Sequence, residues 1–260
     1  MVRPPPTPGP SQSDLGGGDD DWVHGDRVQP RRNGVHRHLS INVGNLTVEE
    51  AALAKTESLF ALASQLGANT VTFQEHGLNP RVLPRHEQWA ERCDGLVEQQ
   101  ISKISWNVNE CTTSSRLWGG VGTIILGTAI SRLIKFGEDP SGLGRWNWSY
   151  LRGVGGRNVR LISVYVPTVS ESTGNDRVEA QHERYFNIQK RDGTVLAIYW
   201  EDLAKDLSKW YESGDQILLS GDVNVEVTDP SITAFFAQFD MRNVLIDLHF
   251  LHKNTDFFHF

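Results

Sequence analysis

The sequence predicts an α/β fold in which a mixed sheet system is covered by helices. Three observations predict it. Short apolar runs rich in β-branched residues alternate with stretches whose apolar residues recur at helical spacing. Several neighbouring strands are joined by short turns, which a purely parallel array does not allow. The polar residues with chemical use stand at the ends of apolar runs, where a strand reaches the rim of its sheet and sites tend to be built.

The elements follow in order. Residues 1–36 include "PPPTPGPSQSDLGGGDDD", a Pro-, Gly-, Ser- and Asp-rich stretch that cannot bury a core and reads as a disordered tail. Arg27, Arg31, Arg32 and Arg37 form a broken basic cluster at its end, closer to a solvated linker than to an import signal. The ordered domain is expected over 37–260. "HLSINV" is its first strand. Thr47 and Glu50 have capping-box spacing, Ala52, Leu59, Leu62, Ala63 and Leu66 share one helical face, and Gly67 can close that helix. "NTVTFQ" is the next strand. "PRHEQWAERCDGLVEQQI" reads as helical. "KISWNV", "GGVGTIIL", "WNWSYLR" and "RNVRLISVYVP" read as strands separated by Gly-rich turns. A long helix carrying Leu196, Tyr199, Trp200, Leu203, Leu207 and Trp210 on its buried side precedes the strand "QILLS". Asp229 then caps a helix that Pro230 begins.

A chain of 260 residues suffices for one large domain. The formal net charge of −7 argues against a polycation that coats nucleic acid, but not against an enzyme acting on phosphates through a divalent cation. Cys93 and Cys111 give neither a disulfide framework nor zinc-site spacing, and fit partly buried free thiols in a reducing compartment. No apolar run approaches the ~18 residues of a membrane span, and the amino terminus has no secretory core. A nuclear or cytoplasmic location is expected, with no membrane partner and no obligate protein partner.

"ILLSGDVNVEV" carries the chemistry most plainly. An apolar strand ends in Asp222 and Asn224, one valine apart. "LSINVGN" ends likewise in Asn42, "VTFQEHG" in Gln74 and Glu75, and "ISVYVP" in Tyr165. Glu75 with the amide of Asn42 offers hard oxygen ligands for one Mg²⁺ (or Mn²⁺). Asp222 can orient or deprotonate a water, while Asn224 and Tyr165 can hold a phosphate oxygen and the charge developing on it. Together they outline metal-assisted phosphodiester hydrolysis. Taken singly each is ordinary: a Glu after a strand is usually a solvated turn residue, and a Gly-Asp-x-Asn is commonly a turn. Their order, each behind its own strand, is what points to a site. The Gly-rich "WGGVGT" and "RGVGGR" lack the Gly-Lys-Ser/Thr of a phosphate loop, and neither a Gly-x-Ser-x-Gly elbow nor a His-Glu-x-x-His pair occurs. His76 is expected to be a surface neighbour of Glu75 rather than a ligand.

"LSINVGN", "VTFQEHG", "GGVGTIIL", "LISVYVP" and "ILLSGDVN", in that order, resemble the endonuclease/exonuclease/phosphatase superfamily over roughly residues 38–250. "GLGRWNWSYLRG", "QHERYF", "DLAKDLSKW" and "GDQILLSGDVN" further resemble endonuclease-like domains that eukaryotic mobile elements (retrotransposons) carry beside a reverse transcriptase. The resemblance implies a four-layer α/β sandwich of two mixed β-sheets flanked by helices, with the site at one end. It implies a metal-dependent phosphodiesterase, an endonuclease-like domain nicking DNA. Asn42 and Glu75 match its metal positions, Tyr165 its active-site tyrosine, and Asp222 and Asn224 its Gly-Asp-x-Asn pair. "SWNVNE", at 105–110, looks like the first motif but follows Glu75, so Asn42 is preferred. The alternatives are a phosphatase or phospholipase of the same superfamily, or a non-catalytic remnant.

One departure stands against these matches. The family closes on a Ser-Asp-His motif whose histidine is essential to the usual mechanism, and "LIDLHFLHKNTDFFHF" contains none. Asp247 looks like a residue upstream of that motif, and nothing around His249, His252 or His259 resembles it. The expectation is a domain incomplete at its carboxyl terminus, missing its last strand or strands, and inactive if that histidine is indispensable.

Overall fold

A computed structural model describes residues 34–47, 50–168, 177–226 and 229–244. Strands β1 (His38–Asn42), β2 (Thr70–Gln74), β3 (Gln100–Ser105) and β4 (Val121–Leu126) form one sheet in the order β1-β2-β4-β3. Strands β5 (Leu133–Glu138), β6 (Trp146–Arg152), β7 (Asn158–Tyr165) and β8 (Gln216–Asp222) form a second, in the order β5-β6-β7-β8. Both sheets are mixed. β1 runs parallel to β2 and β7 parallel to β8, and the remaining pairs are antiparallel. Helices cover the outer faces, so the molecule is a four-layer α/β sandwich.

The outer layers are built by alternation along the strands. On the first sheet Val71, Phe73, Ile124 and Leu126 face α1 (Glu50–Gln65) and α2 (Trp89–Cys93), packing with Leu59, Phe60, Ala63, Trp89 and Cys93. On the second, Trp146, Ile162 and Val164 face α4 (Val195–Glu212) and α5 (Pro230–Ala237). Tyr199, Leu203, Leu207 and Trp210 come from one side of α4, as their spacing predicts, and α3 (Val178–Ile188) precedes it. Thr194 caps α4 by accepting from the Ala197 N–H, and Asp229 caps α5 by accepting from Ser231, with Pro230 in the first turn.

Between the sheets the alternation delivers a different surface. Thr72 and Ser220 join their hydroxyls at 2.8 Å, and His38 Nε2 lies 2.8 Å from the same Ser220 oxygen. Gln74 Nε2 donates to Ser163 Oγ at 3.1 Å, and Thr123 Oγ1 donates to Asn147 Oδ1 at 2.8 Å. An apolar cluster of Ile125, Ala129, Leu151 and Leu161 continues the seam away from these hydroxyls. The seam is therefore half polar: Thr72, Gln74, Thr123, Asn147, Ser163 and Ser220 are bonded across the gap, while the buried Ser149 hydroxyl has no partner.

Some expectations change in detail. The stretch 84–101 is not one helix: a 3₁₀ turn at Arg85–Glu87, the short α2 and the start of β3 share it. β3 ends at Ser105, before "WNV". β5 was not anticipated; it is an edge strand whose pattern is broken by Gly137, where a Cβ would stand 2.0 Å from the Trp148 ring. Cys93 is buried and Cys111 exposed, both free. The Glu50 arm of the capping box, Asp247, His249, His252, His259 and the amino-terminal basic cluster up to Arg32 lie outside what the structure describes. Among the described residues, no helix is long and apolar enough to cross a membrane.

One ion pair anchors the second sheet to α4. Arg145 and Asp139 are both buried, with Nε–Oδ2 at 2.6 Å and Nη2–Oδ1 at 2.9 Å, and Arg145 Nη2 also reaches Asp202 of α4 at 3.0 Å. Removing one partner of a buried pair leaves the other charge uncompensated. Arg145→Met is expected to lower stability by about 3–5 kcal/mol in urea unfolding. The double variant Asp139→Asn/Arg145→Met should recover part of that loss. A single variant as stable as the parent would refute this account.

Candidate active site

The two parallel strand pairs end at the same rim. Asn42 is the register partner of Gln74 and Tyr165 that of Asp222, so each pair runs out at the same level. Asn42, Tyr165 and Asp222 share strand parity with Ser40, Ser163 and Ser220, which puts their side chains on the seam side of their sheets.

The sheets meet there directly. Asn42 Nδ2 donates to Asp222 Oδ2 at 2.8 Å, linking residues 180 positions apart. The Asn42 Oδ1 accepts from the Gly44 N–H at 2.9 Å, which fixes the amide plane. Asp222 Oδ1 accepts from the Asn224 N–H at 3.1 Å, and its backbone carbonyl accepts from the Val166 N–H at 2.9 Å. Asn224 has φ 50°, and its Nδ2 donates to the Val166 carbonyl at 2.6 Å. The Gly-Asp-x-Asn segment is thus a tight hook at the end of β8, held against the end of β7. Gly221 has a structural reason: with φ 154°, a Cβ there would meet the Val164 carbonyl oxygen at 2.0 Å.

Glu75 also leaves its strand in a left-handed turn, at φ 57°. Its N–H donates to the Gly120 carbonyl at 2.9 Å, and its carbonyl accepts from the Asn45 N–H at 2.7 Å. The Tyr165 hydroxyl lies beside the Glu75 carboxylate, which favours its protonated form. Burial, the neighbouring Glu75 and then Asp222 all push the Tyr165 hydroxyl well above its ordinary pKa. It is therefore a neutral hydrogen-bond donor throughout the physiological range. Tyr165 is buried, packed against Val121 and Val178, while Asn42 and Asn224 are exposed and Glu75 and Asp222 intermediate.

The structure thus brings Asn42, Glu75, Tyr165, Asp222 and Asn224 to one rim, with a direct hydrogen bond from Asn42 to Asp222 and with Glu75 and Asp222 close enough to Tyr165 to act on its hydroxyl. Chemically, the rim offers two carboxylates, two amides and a phenol. That is the hard-oxygen donor set suited to Mg²⁺ or Mn²⁺, which take one or two carboxylates and complete their shell with water and substrate oxygens. Among the described residues, no cluster of three or more His, Cys, Asp or Glu side chains could hold an ion, so any cation here relies on that sparser arrangement.

His76 differs from expectation. It is not a surface neighbour but fully buried. Its Nδ1 accepts from the Leu78 N–H at 3.0 Å and its Nε2 lies 3.1 Å from the Ser105 carbonyl, so the ring is neutral with the proton on Nε2. It supports the loop behind Glu75: a Cβ on Gly120, at φ 84°, would sit 2.4 Å from His76 Nε2. Gln74, fully buried at the seam, is the other supporting residue that its chemistry alone did not single out. The signal for it was its strand parity with Thr70 and Thr72.

No known family model matches the chain, and no curated protein does. Solved structures with similar shape include a 3′-5′ exonuclease, NExo, from Neisseria meningitidis, at 14% identity and a TM-score of 0.44. They also include the catalytic domain of Xenopus laevis APE2, at 14% and 0.47, and a mannosyl-6-phosphatase from Bacteroides thetaiotaomicron, at 12% and 0.47. The alignments cover 74%, 72% and 78% of this chain, and 59%, 58% and 71% of those chains. The chain thus spans less than two thirds of the first two.

Burial holds the His76 pKa down at about 4, against a smaller opposing effect of the Ser105 carbonyl. Burial, helped by His36, does the same for His38, also to about 4. The folded values lie below the unfolded value of 6.5, so the unfolded chain binds the extra protons. Their contribution to stability is complete above about pH 6.5 and is lost as pH falls toward 4. His76→Gln is expected to reduce the slope of unfolding free energy between pH 6 and 5 by up to about 1.4 kcal/mol per pH unit. Urea titrations at several pH values would show it, and an unchanged slope would rule out His76 as a source.

Proposed function

We propose that this rim is the site of a metal-dependent phosphodiesterase that nicks DNA, an endonuclease-like domain of the mobile-element type. The observation that carries the reading is the Asn42–Asp222 hydrogen bond at 2.8 Å, which closes the two sheets around the carboxylate while Glu75 and Tyr165 meet beside it. The motif resemblance supports the choice of a nucleic-acid strand and of the mobile-element, reverse-transcriptase-linked branch. Such a setting would make DNA the partner and the nucleus or cytoplasm the place of action. The domain is taken as 37–260, behind a Pro-, Gly- and Asp-rich tail.

Glu75, with the Asn42 amide, would hold Mg²⁺ or Mn²⁺. A bound cation would neutralise charge on the scissile phosphate and on the departing oxygen. Asp222 orients a water and takes its proton, with its carboxylate plane set by donors on both oxygens, Asn42 Nδ2 and the Asn224 N–H. Asn224 spends one Nδ2–H on the Val166 carbonyl and offers the other to a phosphate oxygen. Tyr165, held neutral beside Glu75, donates its hydroxyl proton to the oxygen on which charge develops. With Asp222 as the base, no histidine is needed at the attacking water.

Supercoiled plasmid is the test substrate. Nicking is expected with Mg²⁺ and not with EDTA. Glu75→Ala and Asp222→Ala should each lose at least about 100-fold, and Tyr165→Phe about 100-fold. Nicking that survives Asp222→Ala would overturn the assignment of the base. Turnover of small phosphoesters with plasmid left intact would replace DNA by a phosphatase or phospholipase substrate. Folded protein inert on both would mean a non-catalytic remnant.

A further inference from the structure

An exposed tryptophan stands on the loop that holds Glu75. Trp118 keeps 43% of its surface, whereas its neighbours Leu117 and Gly119 are buried. The loop is pinned to the Glu75 segment by a short ladder. The Leu117 N–H donates to the Gly77 carbonyl at 2.8 Å, the Gly77 N–H to the Gly119 carbonyl at 3.1 Å, and the Glu75 N–H to the Gly120 carbonyl at 2.9 Å. On the other side Gly119 approaches the Tyr165 ring, since a Cβ there would be 3.6 Å from Cε1. Trp118 is thereby fixed between the two elements that present Glu75 and Tyr165.

The ring itself has a partner. The Arg116 guanidinium carbon lies 3.3 Å over the centroid of the Trp118 ring, a stacked cation–π pair. Among the described residues no ion pair takes up the Arg116 charge, and its Nε is buried without a hydrogen-bond partner. A tryptophan needed for packing would be buried in one of the apolar clusters, and Trp118 belongs to none of them. A rigid exposed indole backed by an uncommitted cation suits a ligand that combines a flat π-face with negative charge. A nucleotide has both.

We propose that Trp118, backed by Arg116, is a stacking platform for an unpaired base of a strand whose backbone crosses the Glu75–Asp222 rim. This rests on reading that rim as a nucleic-acid site, and it adds a preference for single-stranded or locally opened substrate. Stacking needs a base but tolerates any base. The discriminating probes are therefore a labelled oligothymidylate 12-mer and a 12-mer of the same charge made of abasic tetrahydrofuran units.

Binding is measured by anisotropy in EDTA and low salt, so turnover plays no part. The intact chain is expected to bind the thymidylate about tenfold more tightly than the abasic strand. Trp118→Ala should abolish that difference, Trp118→Phe should keep most of it, and Arg116→Gln should weaken both strands. Thermal melting of each variant checks folding, and Trp118→Phe serves as the folded comparison if Trp118→Ala is unstable. The inference is overturned if the intact chain does not prefer bases, if it binds neither strand, or if Trp118→Ala keeps the preference. A Trp118-dependent preference without nicking would strike the phosphodiesterase reading alone. Nicking without that preference would strike this inference alone.

Discussion

The fold depends on a seam between two sheets that is held by polar side chains. Thr72, Gln74, Ser163 and Ser220 share strand parity and face each other across the gap. Apolar packing is non-directional and tolerates a sliding of one sheet on the other. A hydroxyl joined to a hydroxyl at 2.8 Å does not, because a shift leaves both groups buried and unsatisfied. The seam therefore fixes the relative position of the sheets, while the outer layers of Trp146, Tyr199, Phe73 and Trp89 supply most of the burial.

The rim inherits its geometry from that seam. Period two along a strand means that whatever faces the seam below also faces it at the strand end. Asn42 and Asp222 need no loop to bring them together; they are the next seam positions after Ser40 and Ser220. Glu75 is different. It follows Gln74 out of β2 and needs a left-handed turn, His76 beneath it and Gly120 beside it to remain at the rim. The carboxylate on the strand is rigid by construction, and the carboxylate after the strand is rigid by support.

Much of this was readable beforehand, for reasons that can be stated. β2, β4, β7 and α4 are buried on at least one face and carry clean periodicity, so their existence and type follow from pattern. Asp222, Asn224, Asn42, Glu75 and Tyr165 stood out because each ends such a run. β5 did not, because it lies at a sheet edge with mixed exposure and a mid-strand glycine, and its conformation is set by pairing with β6. The stretch around α2 has helical residues, but Trp89 and Cys93 are drawn into the first core and the helix stops there. His76 in a Glu-His-Gly context looks like a solvated turn, and only its bonds to Leu78 and Ser105 show otherwise. The polar seam was hidden for a similar reason: threonines and serines at alternate positions look the same whether they face water or a second polar sheet.

The Asn42–Asp222 bond has a kinetic side. It spans 180 residues and joins the first strand of the described chain to the last. At a synthesis rate of about 5–20 residues per second, Asn42 leaves the ribosome roughly 10–40 seconds before Asp222 does. During that interval β7 has no partner on one side and the rim has only one of its two carboxylates. The first sheet with α1 and α2, and the hairpins of the second, can condense first, because they are local in sequence. The joined rim is thus among the later features the nascent chain acquires, and until β8 arrives the half-made sandwich is sticky along one unpaired strand edge.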